Sequence, residues 1–305
     1  MAVVAKSSRL TELVAPGVEV EQIATGFTFT EGPVWHPDGY LLFSDMPADI
    51  RRKWSEDGGI VEVMKPSNKC NGLTLDADLN LIVCEHWTSE LVRASLNADG
   101  TEASREVIAS RYEGTALNSP NDVVVKSDGS IYFSDPTYGR MDVFGNPRDQ
   151  DLSFQGVYRI PPGGGDLELL ADDYAQPNGL CFSPDESTLY VNDSERIHIR
   201  AYDVQADGSL TGERMVIENV GTGALEDGIP DGMKCDEQGN VWVTGPRGVW
   251  VVDPNGEHLG TVEIPEHVGN LNWGGPEWNV LYLPSSTSVY RFSTTTRGAP
   301  ASYMR

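Results

Sequence analysis

Six copies of one hairpin pattern, set 39 to 57 residues apart, and almost no helical periodicity predict an all-β chain. The predicted architecture is a six-bladed β-propeller with four-stranded blades. Each copy reads as a polar residue, a short apolar strand, a turn and a second apolar strand. The copies open at Glu31, Asn71, Asn121, Asn178, Asp231 and Asn270. Repeats of ~40–50 residues with several strands each are the mark of propeller blades. The 32 glycines and 19 prolines supply the turns that so many strands need.

Taken in order, residues 1–16 form an N-terminal extension to a single domain spanning 1–305. Val18–Ile23 alternates apolar and polar ahead of the first copy. The last copy holds only 36 residues, 270–305, which is short for a blade. The N-terminal strand is therefore predicted to join the last blade and close the ring, protecting edges that an open sheet would expose. Pro37-Asp38-Gly39, Ser127-Asp128-Gly129 and Ala206-Asp207-Gly208 lie between strands and read as hairpin turns. In the fourth copy Ile197–Val204 and Met215–Val220 read as the remaining strands; in the fifth, Gly248–Val252 and Thr261–Ile264.

Composition narrows the function. Lys and Arg number 22 against 46 Asp and Glu, a net charge of −24. Such a chain is repelled by phosphate backbones and anionic lipid, and it has no basic run as a local exception. Nucleic-acid and membrane partners are excluded on this reading. No segment approaches the ~20 apolar residues of a membrane span, and residues 1–29 lack a signal-type apolar core, so a cytoplasmic protein is expected. Cys70, Cys84, Cys181 and Cys235 fit neither a zinc pattern nor a compact disulfide framework, and are expected to be buried thiols. Motifs of serine hydrolases, zinc proteases and P-loop NTPases are absent.

The opening residue of each copy sits at one mouth of the channel that the innermost strands line. Two carboxylates (Glu31, Asp231) and four carboxamides (Asn71, Asn121, Asn178, Asn270) thus converge on one axis. Two carboxylates in one small space cost free energy unless a proton or cation intervenes. Oxygen-only donors suit a hard cation, and Ca²⁺ fits best, with ~6–8 oxygens in irregular geometry. Zinc would normally want His or Cys in the set. A single Asn-Gly or Asp-Gly pair is usually only a turn; six in register argue for more. The strand-end acids Asp45, Glu85, Asp135 and Asp193 form a second column, read as acceptors anchoring loops, with a second, structural Ca²⁺ as the sharper alternative. His86, flanked by Glu85 and Trp87, is placed to handle protons at the mouth. His267, in the loop leading to Asn270, is a weaker candidate.

Glu31-Gly-Pro-Val-Trp35, Ser134-Asp-Pro-Thr-Tyr-Gly139, Pro177-Asn-Gly-Leu180, Pro230-Asp-Gly-Met233, Trp273-Gly-Gly-Pro276 and Val289-Tyr-Arg-Phe292 run in order along the chain. This ordered set resembles the gluconolactonase, senescence-marker-protein and luciferin-regenerating-enzyme family, from about residue 20 to 300. The resemblance implies a catalytic divalent cation in the channel and hydrolysis of lactone esters. It implies metal binding by Glu31, Asn178 and Asp231. It implies a role for Asn121 on the metal in some members and on the substrate in others, and proton transfer at Asp231. Where animal members carry a sugar-contacting arginine, this chain has Ser119. Residues 136–155 match a long insertion of the bacterial branch and are expected to form a lid or rim.

The expected function is metal-dependent hydrolysis of a lactone, a sugar aldonolactone or a relative, to the hydroxy acid. The expected metal is one channel cation, Ca²⁺ first, with Mg²⁺, Mn²⁺ and Zn²⁺ also admitted by an all-oxygen cage. Asp231 or His86 would deprotonate the attacking water. Asn71 and Asn121 would orient the substrate, and Trp87, Tyr138 and Phe144 would wall the pocket. Two alternatives stay open: another ester or phosphotriester hydrolase on the same metal site, and a non-catalytic binding propeller with a structural cation. The sequence leaves oligomeric state undetermined.

Overall fold

The computed structural model describes residues 2–224 and 227–299. Six antiparallel sheets stand around one axis, and each is a blade. Blade 1 runs Thr30–His36, Tyr40–Asp45, Ile50–Ser55 and Gly59–Met64 from the axis outward. Blade 2 runs Cys70–Leu75, Leu81–Glu85, Glu90–Leu96 and Glu102–Ala109, and blade 3 Val123–Val125, Ile131–Asp135, Gln155–Ile160 and Glu168–Tyr174. Blade 4 runs Pro177–Phe182, Thr188–Asp193, His198–Val204 and Leu210–Ile217; blade 5 Met233–Cys235, Val241–Gly245, Gly248–Val252 and His258–Glu263. Blade 6 runs Asn272–Gly274, Val280–Ser285 and Ser288–Ser293 and takes its outermost strand, Glu21–Thr25, from the other end of the chain. The predicted ring closure is therefore present. Its strand begins at Glu21 rather than Val18, because Val18 is spent in a turn to Ala15.

Burial explains which strands the sequence revealed. Inner strands are covered on both faces by neighbouring blades, so Tyr40–Asp45 and Leu81–Glu85 are buried at every position. They read as continuous apolar runs. Outer strands face water and carry charge. Leu210–Ile217 is exposed over five central positions, which hid its start; the predicted span Met215–Val220 is corrected accordingly. Likewise Ile197 takes φ +50° and belongs to a turn, and the fifth blade's outer strand begins at His258, three residues before the expected Thr261.

The N-terminal extension is built into the fold. Val3–Ala5 pairs with His258–Glu263 as a fifth strand of blade 5. The helix Ser8–Leu13 then turns Leu10 and Leu13 into the same core as Trp242, Leu259 and Val262. Among the described residues, no helix is long and apolar enough to cross a membrane.

Candidate active site

The channel mouth is built by one local device repeated around the ring. A polar side chain opens each inner strand, and in most copies glycine follows it. A Cβ at Gly32 would stand 1.8 Å from the Asn71 carbonyl oxygen, one at Gly72 2.5 Å from that of Asn121, and one at Gly179 2.1 Å from that of Asp231. In these three blades the inner strand thus packs on the backbone of the next blade's opening residue, and only glycine admits that approach. β-bulges between Glu31 and Val34, Cys70 and Leu73, and Pro177 and Leu180 accompany these residues.

Glu31, Asn71, Asn121, Asn178 and Asp231 line one cavity of about 230 Å³ together with His86. Asn71 Nδ2 donates to Asn121 Oδ1 at 2.6 Å, and Asn121 Nδ2 to Asn178 Oδ1 at 2.5 Å. Asn178 Nδ2 donates to Ser194 Oγ at 3.0 Å, which in turn donates to the Pro230 carbonyl beside Asp231. Glu31 and Asp231 close the ring as neighbours whose charges act on each other, with Asn270 beside Glu31 and Asn178 beside Asp231. Burial raises the pKa of both acids, and at Asp231 the charge of Glu31 raises it further. Asn270 is not among the residues lining that cavity, and its Oδ1 accepts from Leu271 N at 2.8 Å.

A third carboxylate, Asp122, lies under the ring and is 2% exposed. Among the described residues its Oδ2 has no hydrogen-bond partner, and Lys234 Nζ stands 4.0 Å away. Sequence reasoning missed it. The available signal was positional: Asp122 follows Asn121 where glycine follows the opening residue in four other copies. The opening positions hold no Lys or Arg, but Lys234, three residues after Asp231, reaches into the same channel.

His86 is fully buried. Its Nδ1 faces the Phe144 carbonyl at 3.0 Å, which can only accept, so Nδ1 carries the proton. Nε2 then accepts from Asn71 Nδ2 at 3.2 Å. Desolvation pushes this imidazole down to about 4, so it is neutral at ordinary pH. Tyr138, Phe144 and His267 line the cavity, with Phe29, Met46, Met141 and Ile229. Trp87 stands outside that wall: it is 47% exposed and lies under the Lys69 ammonium, 6.0 Å from the ring centre. Tyr138, Met141 and Phe144 all come from the 136–155 segment, which thus supplies part of the cavity wall. Arg140 fixes that segment by donating to the Asn118 and Leu117 carbonyls at 3.0 and 2.9 Å.

Each strand-end acid is engaged by donors. Asp193 accepts from the amides of Ala175, Gln176, Glu195 and Arg196, and Asp135 from those of Asn118 and Ser119. Asp45 accepts from Thr28 N and the Arg52 guanidinium; Glu85 accepts from Asn68 Nδ2, Thr88 Oγ1 and Arg105. A larger cavity of about 470 Å³ opens at the other ends of the inner strands, beside Thr74, Cys181, Lys234 and Trp273.

The residues present suit a divalent cation. The buried Glu31 and the half-buried Asp231 meet without a base between them, and among the described residues Asn71 Oδ1 is a buried oxygen with no partner. Among the described residues, no three His, Cys, Asp or Glu side chains form a metal cluster; this donor set is two carboxylates completed by carboxamides.

Comparison with known proteins bears on the same features. A family model described as SMP-30/Gluconolactonase/LRE-like region matches residues 29–287. A gluconolactonase of Zymomonas mobilis is 33% identical, covering 96% of this chain and 86% of its own length. A regucalcin of Danio rerio is 36% identical, with 84% and 82% covered. The solved structure of a gluconolactonase from Xanthomonas campestris matches at 31% identity with a TM-score of 0.86, over 96% of this chain and 95% of that one. The six blades, the register of the opening residues and these likenesses agree: the chain belongs to the SMP-30/gluconolactonase/LRE-like family.

Proposed function

We propose that this protein is a lactone hydrolase working with a divalent cation held by Glu31, Asn121, Asn178 and Asp231. The observation that carries the reading is the meeting of the buried Glu31 and the half-buried Asp231 in one cavity. It is supported by the names of the gluconolactonase relatives. A cation bound there acts as a Lewis acid on the lactone carbonyl. All-oxygen donors suit Ca²⁺, with Mg²⁺, Mn²⁺ and Zn²⁺ as competitors.

The chain's own residues do the rest. Asp231 Oδ takes a proton from the attacking water as the new C–O bond forms, and returns it to the ring oxygen as the ester C–O bond breaks. The product is the hydroxy acid. Asn71, at the open end of the amide chain with its Oδ1 unpartnered, orients the substrate, and Asn121 shares that task. His86, held neutral, keeps Asn71 in place. The segment carrying Tyr138 and Phe144 excludes bulk water.

The test is acid release from a panel of lactones by protein as purified, after chelation, and after each cation is returned separately. Loss on chelation and recovery on return is expected. Full activity after exhaustive cation removal would contradict the mechanism, and no turnover of any lactone would contradict the reaction class.

A further inference from the structure

The polar floor of the cavity and its walls ask for different parts of a substrate. The floor oxygens and nitrogens are largely committed to one another: Asn71 to Asn121, Asn121 to Asn178, Asn178 to Ser194, and His86 to the Phe144 carbonyl. Above the floor the wall is Phe29, Met46, Met141, Phe144 and Ile229. Phe29 and Phe144 pack ring to ring, with centroids 5.6 Å apart, and span from blade 1 to the 136–155 segment. Two polar side chains interrupt this wall. The Tyr138 hydroxyl lies beside Ser194, and the His267 imidazole lies along the Phe29 ring at 6.3 Å. Among the described residues, no lysine or arginine lines the cavity.

A polyhydroxylated aldonolactone brings several ring hydroxyls. Seated on the floor by its carbonyl, it would press them against thioether, phenyl and aliphatic surface, and each hydroxyl stripped of water without a partner costs free energy. An alkyl or aryl group in the same place would bury apolar area on both sides. We infer that the lactone this site takes carries an apolar substituent on its ring, with Phe29, Met46, Met141, Phe144 and Ile229 as the surface that selects it. This inference rests on the lactonase reading and narrows its substrate class. The chemistry is unchanged: water adds to the acyl carbon, the ring C–O bond breaks, and the leaving alkoxide takes a proton.

The test compares kcat/KM for δ-decalactone, dihydrocoumarin, unsubstituted δ-valerolactone and glucono-δ-lactone by acid release at saturating cation, with spontaneous hydrolysis subtracted. The expected kcat/KM for the alkyl and aryl lactones exceeds that for gluconolactone by about tenfold or more, through KM. Met141→Ser, on a side chain already 51% exposed and so safe for folding, and Phe144→Ser are expected to shrink the decalactone-to-valerolactone ratio, Phe144→Ser the more. Turnover of gluconolactone equal to or above that of the substituted lactones would overturn the inference and leave the lactonase reading standing. A ratio unmoved by both substitutions would remove the selecting surface. Failure of all four lactones with every cation would remove the lactonase reading and this inference with it.

Discussion

His86 shows how burial assigns a role at the level of one side chain. Its Nδ1 proton is committed to the Phe144 carbonyl and its Nε2 lone pair to Asn71. With its pKa pushed down to about 4 it is neutral, and the role proposed for it is to hold Asn71. His86→Gln is expected to lower kcat about tenfold while leaving the shape of the pH–rate profile intact. Disappearance of the acid limb in that variant would move the base to His86. His258 gives a pH effect on stability. Burial, then the nearby Lys6 ammonium, hold it down to about 4, against about 6.5 when unfolded. The folded protein stays neutral at His258 where the unfolded chain takes a proton, so this site costs stability as pH falls through 6.5, levelling off below about 4. Thermal melts of His258→Gln should lose less between pH 7 and pH 5 than wild type. At this scale the ring residues were legible, because Glu31, Asn121, Asn178 and Asp231 recur in register. Asp122 was not, because it replaces a glycine and a single departure from a turn-like pair looks like a turn variant. Trp87 was misplaced, because adjacency to His86 in sequence says nothing about which way a side chain leaves a strand end.

The elements obey burial more than local pattern. Inner strands announce themselves as apolar runs, while Leu210–Ile217 is polar enough that its start was read five residues late. The strand-end acids belong to this scale, since each ties the loops of its blade to its neighbour. Asp193 accepts four backbone amides, two from each side of the strand it ends. Asp193→Ala should cost about 3 kcal/mol or more in chemical denaturation, because several buried donors lose their acceptor together. The cost should be the same with and without Ca²⁺. A cost that appears only with Ca²⁺ would show the second structural cation instead.

At the scale of the whole molecule, the two chain ends lock the ring. Glu21–Thr25 completes blade 6, and Val3–Ala5 with its helix widens blade 5. The first was legible because the last copy is too short for four strands. The second was not, because Val3–Ala5 is only three residues long and its partner is some 255 residues away. Leu10→Ala should destabilise the fold by about 2–4 kcal/mol, read as a lowered denaturation midpoint, since Leu10 is fully buried against Gly260. The net charge of −24 surrounds a mouth that is itself acidic, a field that favours cations over anions at the site.

Glu31 and Asp231 carry a mutual charge penalty that a bound cation would relieve. The most direct test titrates Ca²⁺ into cation-stripped wild type and Asp231→Asn, following bound cation, melting temperature and lactone hydrolysis on the same samples. Wild type should bind one cation per chain at the ring, with hydrolysis rising in step with occupancy. Asp231→Asn should lose both, by about 10³-fold in rate, while the cation-free variant melts no lower than cation-free wild type because the repulsion is gone. Full hydrolysis by cation-free wild type, or binding and turnover retained in Asp231→Asn, would contradict the proposed mechanism.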